Sequence, residues 1–183
     1  MQKERLERLV GILIVMLVIA LSVAIFFLGD QLEKLAFYGY PGAFLLGALT
    51  SASVGVPGPG LALVFVLGRS LNPLWVGILS GTGTTLGEIP AYLAGFGGSA
   101  IAGEHAAFDR IHAWLASHPR FVGLLIFFLA AAPLPFFDFA AIAVGALKLP
   151  LRQFVLFALP GKIIKMFVLA YLGSATMTYE TER

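Results

Sequence analysis

The 183-residue chain has no cysteine, only three histidines, and a charged fraction of just 12%. The missing cysteine excludes a disulfide framework, a thiolate metal site and a cysteine nucleophile. The scarcity of charge says more, because about a quarter of the residues of an ordinary soluble domain are charged. With 59% apolar residues, the expected class is an all-α integral membrane protein. The net charge is +2 and the lysines and arginines are scattered, so no nucleic-acid partner is expected. A nucleotide loop is missing as well. GTGTTLG at 81–87 lacks the GxGxxG spacing, a preceding strand and a following GK[ST]. Its Gly83 and Gly87, four apart, read instead as a close helix-packing face, as does Gly161 at the related position of the second half. His105, Asp109 and His112 fall short of a metal shell and read as solvated interfacial residues. With no nucleophile–base pair either, the expectation is a non-enzyme with no cofactor and no metal.

After the charged start MQKERLER, Leu9 to Leu28 runs without a charge. That is about the length needed to cross ~30 Å of hydrocarbon, and it predicts an N-terminal transmembrane helix. The competing reading is a cleaved signal peptide. The run exceeds a typical apolar region of about 7–15 residues, and no small-x-small site precedes Asp30, which favours the anchor.

Two apolar stretches are then interrupted by helix breakers. SVGVPGPG at 53–60 contains Pro57 and Pro59, and AAAPLPFFDF at 130–139 contains Pro133 and Pro135. Proline lacks the amide N–H and clashes with the preceding turn. The arm from Ala43 to Val56 would reach only ~21 Å as a helix, so a re-entrant hairpin fits better than a span. An offset of 78 residues aligns Pro41 with Pro119, Pro57 with Pro135, Ala62 with Ala140, Gly83 with Gly161 and Gly95 with Gly173. The expected organisation is an N-terminal segment (1–39), a membrane domain (40–177) and a short tail (178–183). Within the domain lie a first repeat (40–96), an interfacial helix (97–118) and a second repeat (119–177). Each repeat pairs a broken-helix hairpin with one transmembrane helix, near Pro73 to Phe96 and Arg152 to Ala175.

If each hairpin enters and leaves by one face, the two repeats are inverted, as in many transporters. Kinked full spans would instead give parallel repeats. The hairpin arrangement puts Lys3, Arg5, Arg8, Arg110, Arg120, Lys148 and Arg152 on one side against Lys34, Arg69 and Arg183. The positive-inside rule favours it, with a cytoplasmic N-terminus.

Four ionisable residues fall at membrane depth: Glu88, Asp138, Lys162 and Lys165. A charge at the centre of a membrane helix costs about 3 kcal/mol even on lenient scales, so such groups face one another or a wet cavity. Glu88 shares a helical face with Gly81, Thr84, Thr85 and Tyr92, and Lys162 and Lys165 share a face of the related helix. Asp138 follows a break whose freed backbone groups need polar partners. Two readings stay open: a polar groove for a lipid headgroup, or structural ion pairs that hold two helices together.

GTGTTLGEIPAYLAG (81–95), APLPFFDFAAIAVGAL (132–147) and GKIIKM (161–166) resemble the VTT (DedA, SNARE-associated Golgi) superfamily, particularly its vacuole membrane protein branch. The resemblance extends from about Tyr40 to Gly173. It implies two facing re-entrant hairpins, each followed by a helix, and movement of phospholipids between leaflets. The matching residues are Glu88, Pro90, Pro133, Asp138, Gly161, Lys162 and Lys165. Bacterial DedA-type relatives usually carry an acid near the first hairpin and an arginine in the second, and neither stands in SVGVPGPG or AAAPLPFFDF. The expected function is therefore energy-independent phospholipid scrambling, with Glu88, Asp138, Lys162 and Lys165 meeting the headgroup. The alternatives are proton-coupled transport of an anionic, polyprenyl-phosphate-like lipid, and a scaffold that transports nothing. The partners are membrane phospholipids, and a homo-oligomer is left open.

Overall fold

The computed structural model describes residues 2–27, 38–52, 60–102, 106–132 and 137–181. Among them there are helices and turns and no strand. In chain order the helices are α1 (Gln2–Phe27), α2 (Tyr40–Ala52), α3 (Gly60–Ser70), α4 (Pro73–Gly87), α5 (Ile89–Ala102), α6 (Ala106–Ser117), α7 (Pro119–Ala131), α8 (Phe137–Ala146) and α9 (Leu151–Thr181). Pro57, Pro59, Pro133 and Pro135 lie outside the described residues.

Helix α9 has 31 residues. Its segment Leu151–Thr176 is, among the described residues, the one helix long and apolar enough to cross a membrane by length and composition. The arms on either side of the two interruptions are much shorter. At 13 and 11 residues, α2 and α3 reach only ~20 and ~17 Å at about 1.5 Å per residue.

Helices α2 and α3 fold back on each other. Gly60, which opens α3, lies against Thr50 near the end of α2: a Cβ there would stand 2.9 Å from that of Thr50. At the other end, the Asn72 N–H just past α3 donates to the Tyr40 hydroxyl at the start of α2 (3.2 Å). The second pair of arms closes in a similar place. Gln153, at the start of α9, donates through Nε2 to the Pro119 carbonyl at the start of α7 (2.7 Å). Shifted by 78 residues, the bounds of α2, α3 and the α4–α5 pair fall within two residues of those of α7, α8 and α9.

Where Pro73 to Phe96 was expected to be one helix, the chain forms two, α4 and α5, joined by a turn at Glu88. Gly87 and Pro90 account for the break. Pro90 has no N–H to offer the Leu86 carbonyl four residues earlier, whereas on either side the ladder is kept: the Glu88 N–H donates to Thr84 O (3.2 Å) and the Tyr92 N–H to Glu88 O (3.0 Å). Position 168, which corresponds to Pro90 in the second half, is Val, and α9 continues through it. The interfacial helix expected between the halves also differs in extent. Helix α5 continues to Ala102, and only α6 (Ala106–Ser117) is separate.

Helix α4 packs on α2 along one side and α9 along another. Gly77 and Gly81 meet the backbone of Phe167 and Ile163 on α9, while Gly83 and Gly87 meet Phe44 and Ala48 on α2. Because 77 faces 167 and 81 faces 163, α4 and α9 run antiparallel. Two apolar cores flank this crossing. One joins α2, α3 and α4 to Met166 and Ala170 of α9. The other joins α5, α7 and α8 to Phe154 and Ala158 at the opposite end of α9. Tyr92 anchors the second core, donating its hydroxyl to the Leu149 carbonyl (2.7 Å) and stacking on Phe154.

Helix α8 ends in a Schellman motif. The Leu149 N–H donates to Val144 O (3.2 Å) and the Lys148 N–H to Gly145 O (2.8 Å), while Leu149 and Val144 share one core. Lys148 takes the left-handed position with φ 51, where glycine is usual. Among the described residues it is the one non-glycine with positive φ. For an L-residue that conformation costs roughly 1 kcal/mol.

Candidate functional site

The interior is more polar where the two cores meet. Glu88, Thr84, Thr85 and Ser80 of the α4 side are 0–2% exposed, and Lys162 and Lys165 of α9 are 2% and 8% exposed. Outside, the pattern reverses: Leu17 is 70% exposed, Leu13 68%, and Phe128 and Leu156 64% each. The charges therefore sit inside and large apolar side chains point outward.

Glu88 lies between α4 and α5 on the same buried face as Thr84, Thr85 and Tyr92. At the turn, its backbone caps α4 with φ −85 and ψ −7, and the carboxylate projects inward. Lys162 of α9 donates its ammonium to Glu88 Oε1, joining the two helices through residues 74 apart in sequence. Taking two charges out of water costs several kcal/mol each, and mutual attraction offsets that only with good geometry and hydrogen bonding. Lys165 follows on the same face one turn later and is also buried.

The hydroxyls of α4 are mostly used within the helix. Thr82 donates to the Ile78 carbonyl (2.7 Å), and Thr84 and Thr85 both donate to that of Gly81 (2.9 and 2.8 Å). Such back-bonding satisfies a buried hydroxyl and bends a helix slightly. Two atoms are left over. Glu88 Oε2 and Ser80 Oγ are buried without a hydrogen-bond partner among the described residues. Buried polar atoms are nearly always paired, so an orphan carboxylate oxygen marks a place for a donor such as water or an amine.

Of the four ionisable residues singled out by sequence, the structure thus places Glu88, Lys162 and Lys165 in one buried region. Asp138 lies in the second residue of α8, and its side chain is outside the described residues. Gly161 packs on α7, where a Cβ would approach Ala130 Cβ at 2.9 Å and Ala131 N at 3.1 Å. Sequence reasoning missed Ser80, for which no motif gives a signal. It also missed the turn at Glu88, although Gly87 and Pro90 flank it and carried that signal. Among the described residues, no group of three or more His, Cys, Asp or Glu is placed to hold a metal ion.

An all-helical membrane-type architecture with a buried ion pair between two antiparallel helices defines the class. Residues 57–175 match the VTT domain, and the chain belongs to that family. It is 33% identical over 103 residues to vacuole membrane protein KMS2 of Arabidopsis thaliana and 34% over 106 residues to vacuole membrane protein KMS1 of the same plant. Each match covers 48% of this chain. The chain spans about a quarter of the length of these relatives, 25% and 26% respectively. No solved structure matches it.

Proposed function

We propose that the protein is a multi-pass membrane protein that lets phospholipids exchange between leaflets without an energy source. The path runs along the α4–α9 crossing, where Glu88, Lys162 and Lys165 meet the headgroup. The observation that carries this reading is the Lys162–Glu88 pair, buried between helices whose outer faces are apolar. Charged groups inside a lipid-facing fold are expensive to hold and generally mark a substrate path. A lysine suits a lipid phosphate, and the orphan Glu88 Oε2 suits an amine-bearing headgroup. In the conformation described here the pair is sealed, so transfer requires α4 and α9 to part.

The membrane arrangement belongs to the same proposal. Arms of ~20 Å or less that return to their starting level, joined by Asn72 to Tyr40 and by Gln153 to Pro119, support re-entrant hairpins. The 78-residue correspondence of helix bounds and the antiparallel α4–α9 crossing support two inverted repeats. The names of the two Arabidopsis relatives support a membrane location. On the positive-inside rule the N-terminus is cytoplasmic.

The test is leaflet exchange by purified protein in liposomes, using headgroup-labelled phospholipid, an impermeant quencher and an optional pH gradient. Exchange without a gradient, slowed in Lys162→Met/Glu88→Leu while the fold is kept, is the expected result. Exchange only with a gradient would shift the reading to proton-coupled transport. A second reading, a structural clamp, is favoured by one specific observation: Glu88 and Lys162 are almost wholly enclosed and engage each other. It predicts no exchange under either condition.

A further inference from the structure

A cavity of about 330 Å³ lies away from the ion pair, between the N-terminal half of α1 and the C-terminal half of α5. Leu6, Val10 and Ile14 form one wall and Phe96 another. Its floor is a glycine contact, where a Cβ on Gly97 would stand 2.9 Å from the Gly11 carbonyl oxygen. Leu6 and Val10 are exposed, so the cavity opens at the surface. Its size is at the low end of the ~300–1,000 Å³ typical of small-molecule sites, suited to one hydrocarbon chain rather than two.

Among the described residues that line it, one is charged, and it is Lys148. That lysine occupies the left-handed position closing α8, which glycine would fill without strain. Two independent features thus converge on it: an unfavourable backbone conformation for its residue type, and a place on a cavity whose other described lining residues are apolar or glycine. Strained positions concentrate at ligand sites, where the side chain offsets what the backbone gives up. Lysine at a helix C-terminus also favours the helix dipole, but an exposed lysine one residue earlier would do that with no left-handed strain.

We infer that the cavity between α1 and α5 is a binding site for an anionic amphiphile: one acyl chain lies against Val10, Ile14 and Phe96, and its acidic headgroup is held by Lys148. A carboxylate or a phosphate monoanion both fit this chemistry, from a free fatty acid or an anionic diacyl phospholipid. The site is separate from Glu88 and Lys162, and it stands or falls independently of lipid exchange.

The test uses the full-length protein in phosphatidylcholine nanodiscs, doped in turn with diazirine-tailed fatty acid, phosphatidylglycerol or phosphatidylcholine. After irradiation, labelled peptides are mapped by mass spectrometry. At least one anionic probe is expected to label residues 6–14 or 96–97 about three- to fivefold more than the phosphatidylcholine probe, the scale of a partly exposed charge pair. The more strongly labelling of the two identifies the source. Lys148→Gly should abolish that preference while leaving the thermal midpoint unchanged or higher, because it removes the ammonium and relieves the backbone together. Lys148→Arg should keep the preference, and Val10→Trp should lower labelling by every probe at these residues. Equal labelling by anionic and zwitterionic probes, a preference that survives Lys148→Gly, or labelling indifferent to Val10→Trp would each overturn the inference.

Discussion

Lys162 and Glu88 form a buried ion pair across the antiparallel crossing of α4 and α9, linking the two halves of the chain. Each is the principal compensation for the other's burial. Truncating one leaves an unpaired charge in the interior, so Glu88→Ala or Lys162→Ala alone should destabilise the fold by about 3–5 kcal/mol. Glu88→Leu with Lys162→Met removes both charges and should recover most of that loss, or exceed the parent by roughly 1–4 kcal/mol. Thermal midpoints in detergent for both singles and the double complete the cycle. Losses that simply add would mean the two side chains are not coupled.

The glycines of α4 and α5 should separate sharply by position. A methyl at Gly81 would stand 2.6 Å from Ile163 Cα, a backbone atom that cannot rotate away. Gly81→Ala should therefore force α4 from α9 and cost roughly 1–3 kcal/mol, as overpacking does. Around Gly98 nothing among the described residues lies within 4 Å of the same methyl. Gly98→Ala should be neutral or stabilise by up to about 1 kcal/mol through helix propensity. The contrast is read from parallel melts, and equal effects would argue against the α4–α9 contact.

Asn72 has two roles at the junction of α3 and α4. Its side chain accepts from the Leu74 N–H (3.0 Å) as an N-cap ahead of Pro73, and its backbone N–H meets the Tyr40 hydroxyl. Asn72→Ala should cost ~1 kcal/mol and Asn72→Asp much less, because aspartate caps equally well. Tyr40→Phe removes only the hairpin contact, which is exposed, and should cost near ~0.5 kcal/mol. Melting curves for the three variants test this ordering.

Helical class and the polar set were legible because their causes are local. Charge scarcity and long apolar runs imply helices in lipid, and the spacing of Glu88 with Thr84, Thr85 and Tyr92 follows from 3.6 residues per turn. The helix bounds of the two halves agree to within two residues at the 78-residue offset read from the sequence, but the helices expected to end at Phe96 and Ala175 run on to Ala102 and Thr181. The single helix expected over Pro73 to Phe96 did not form. Its apolar pattern hid the combined effect of Gly87 and Pro90, which break the backbone without interrupting hydrophobicity.

Local chemistry in the sequence determined that this chain is helical, apolar on its outside, and supplied with two acids and two bases in its apolar segments. Which acid meets which base was decided only by the tertiary structure. Glu88 reaches Lys162 because glycines let α4 and α9 approach backbone to backbone, with the buried face of α4 turned toward α9. The cavity beside Lys148 was decided the same way. It exists between the first helix and one from the middle of the chain, and pairing of distant segments depends on how whole faces pack, which no local pattern of residues encodes.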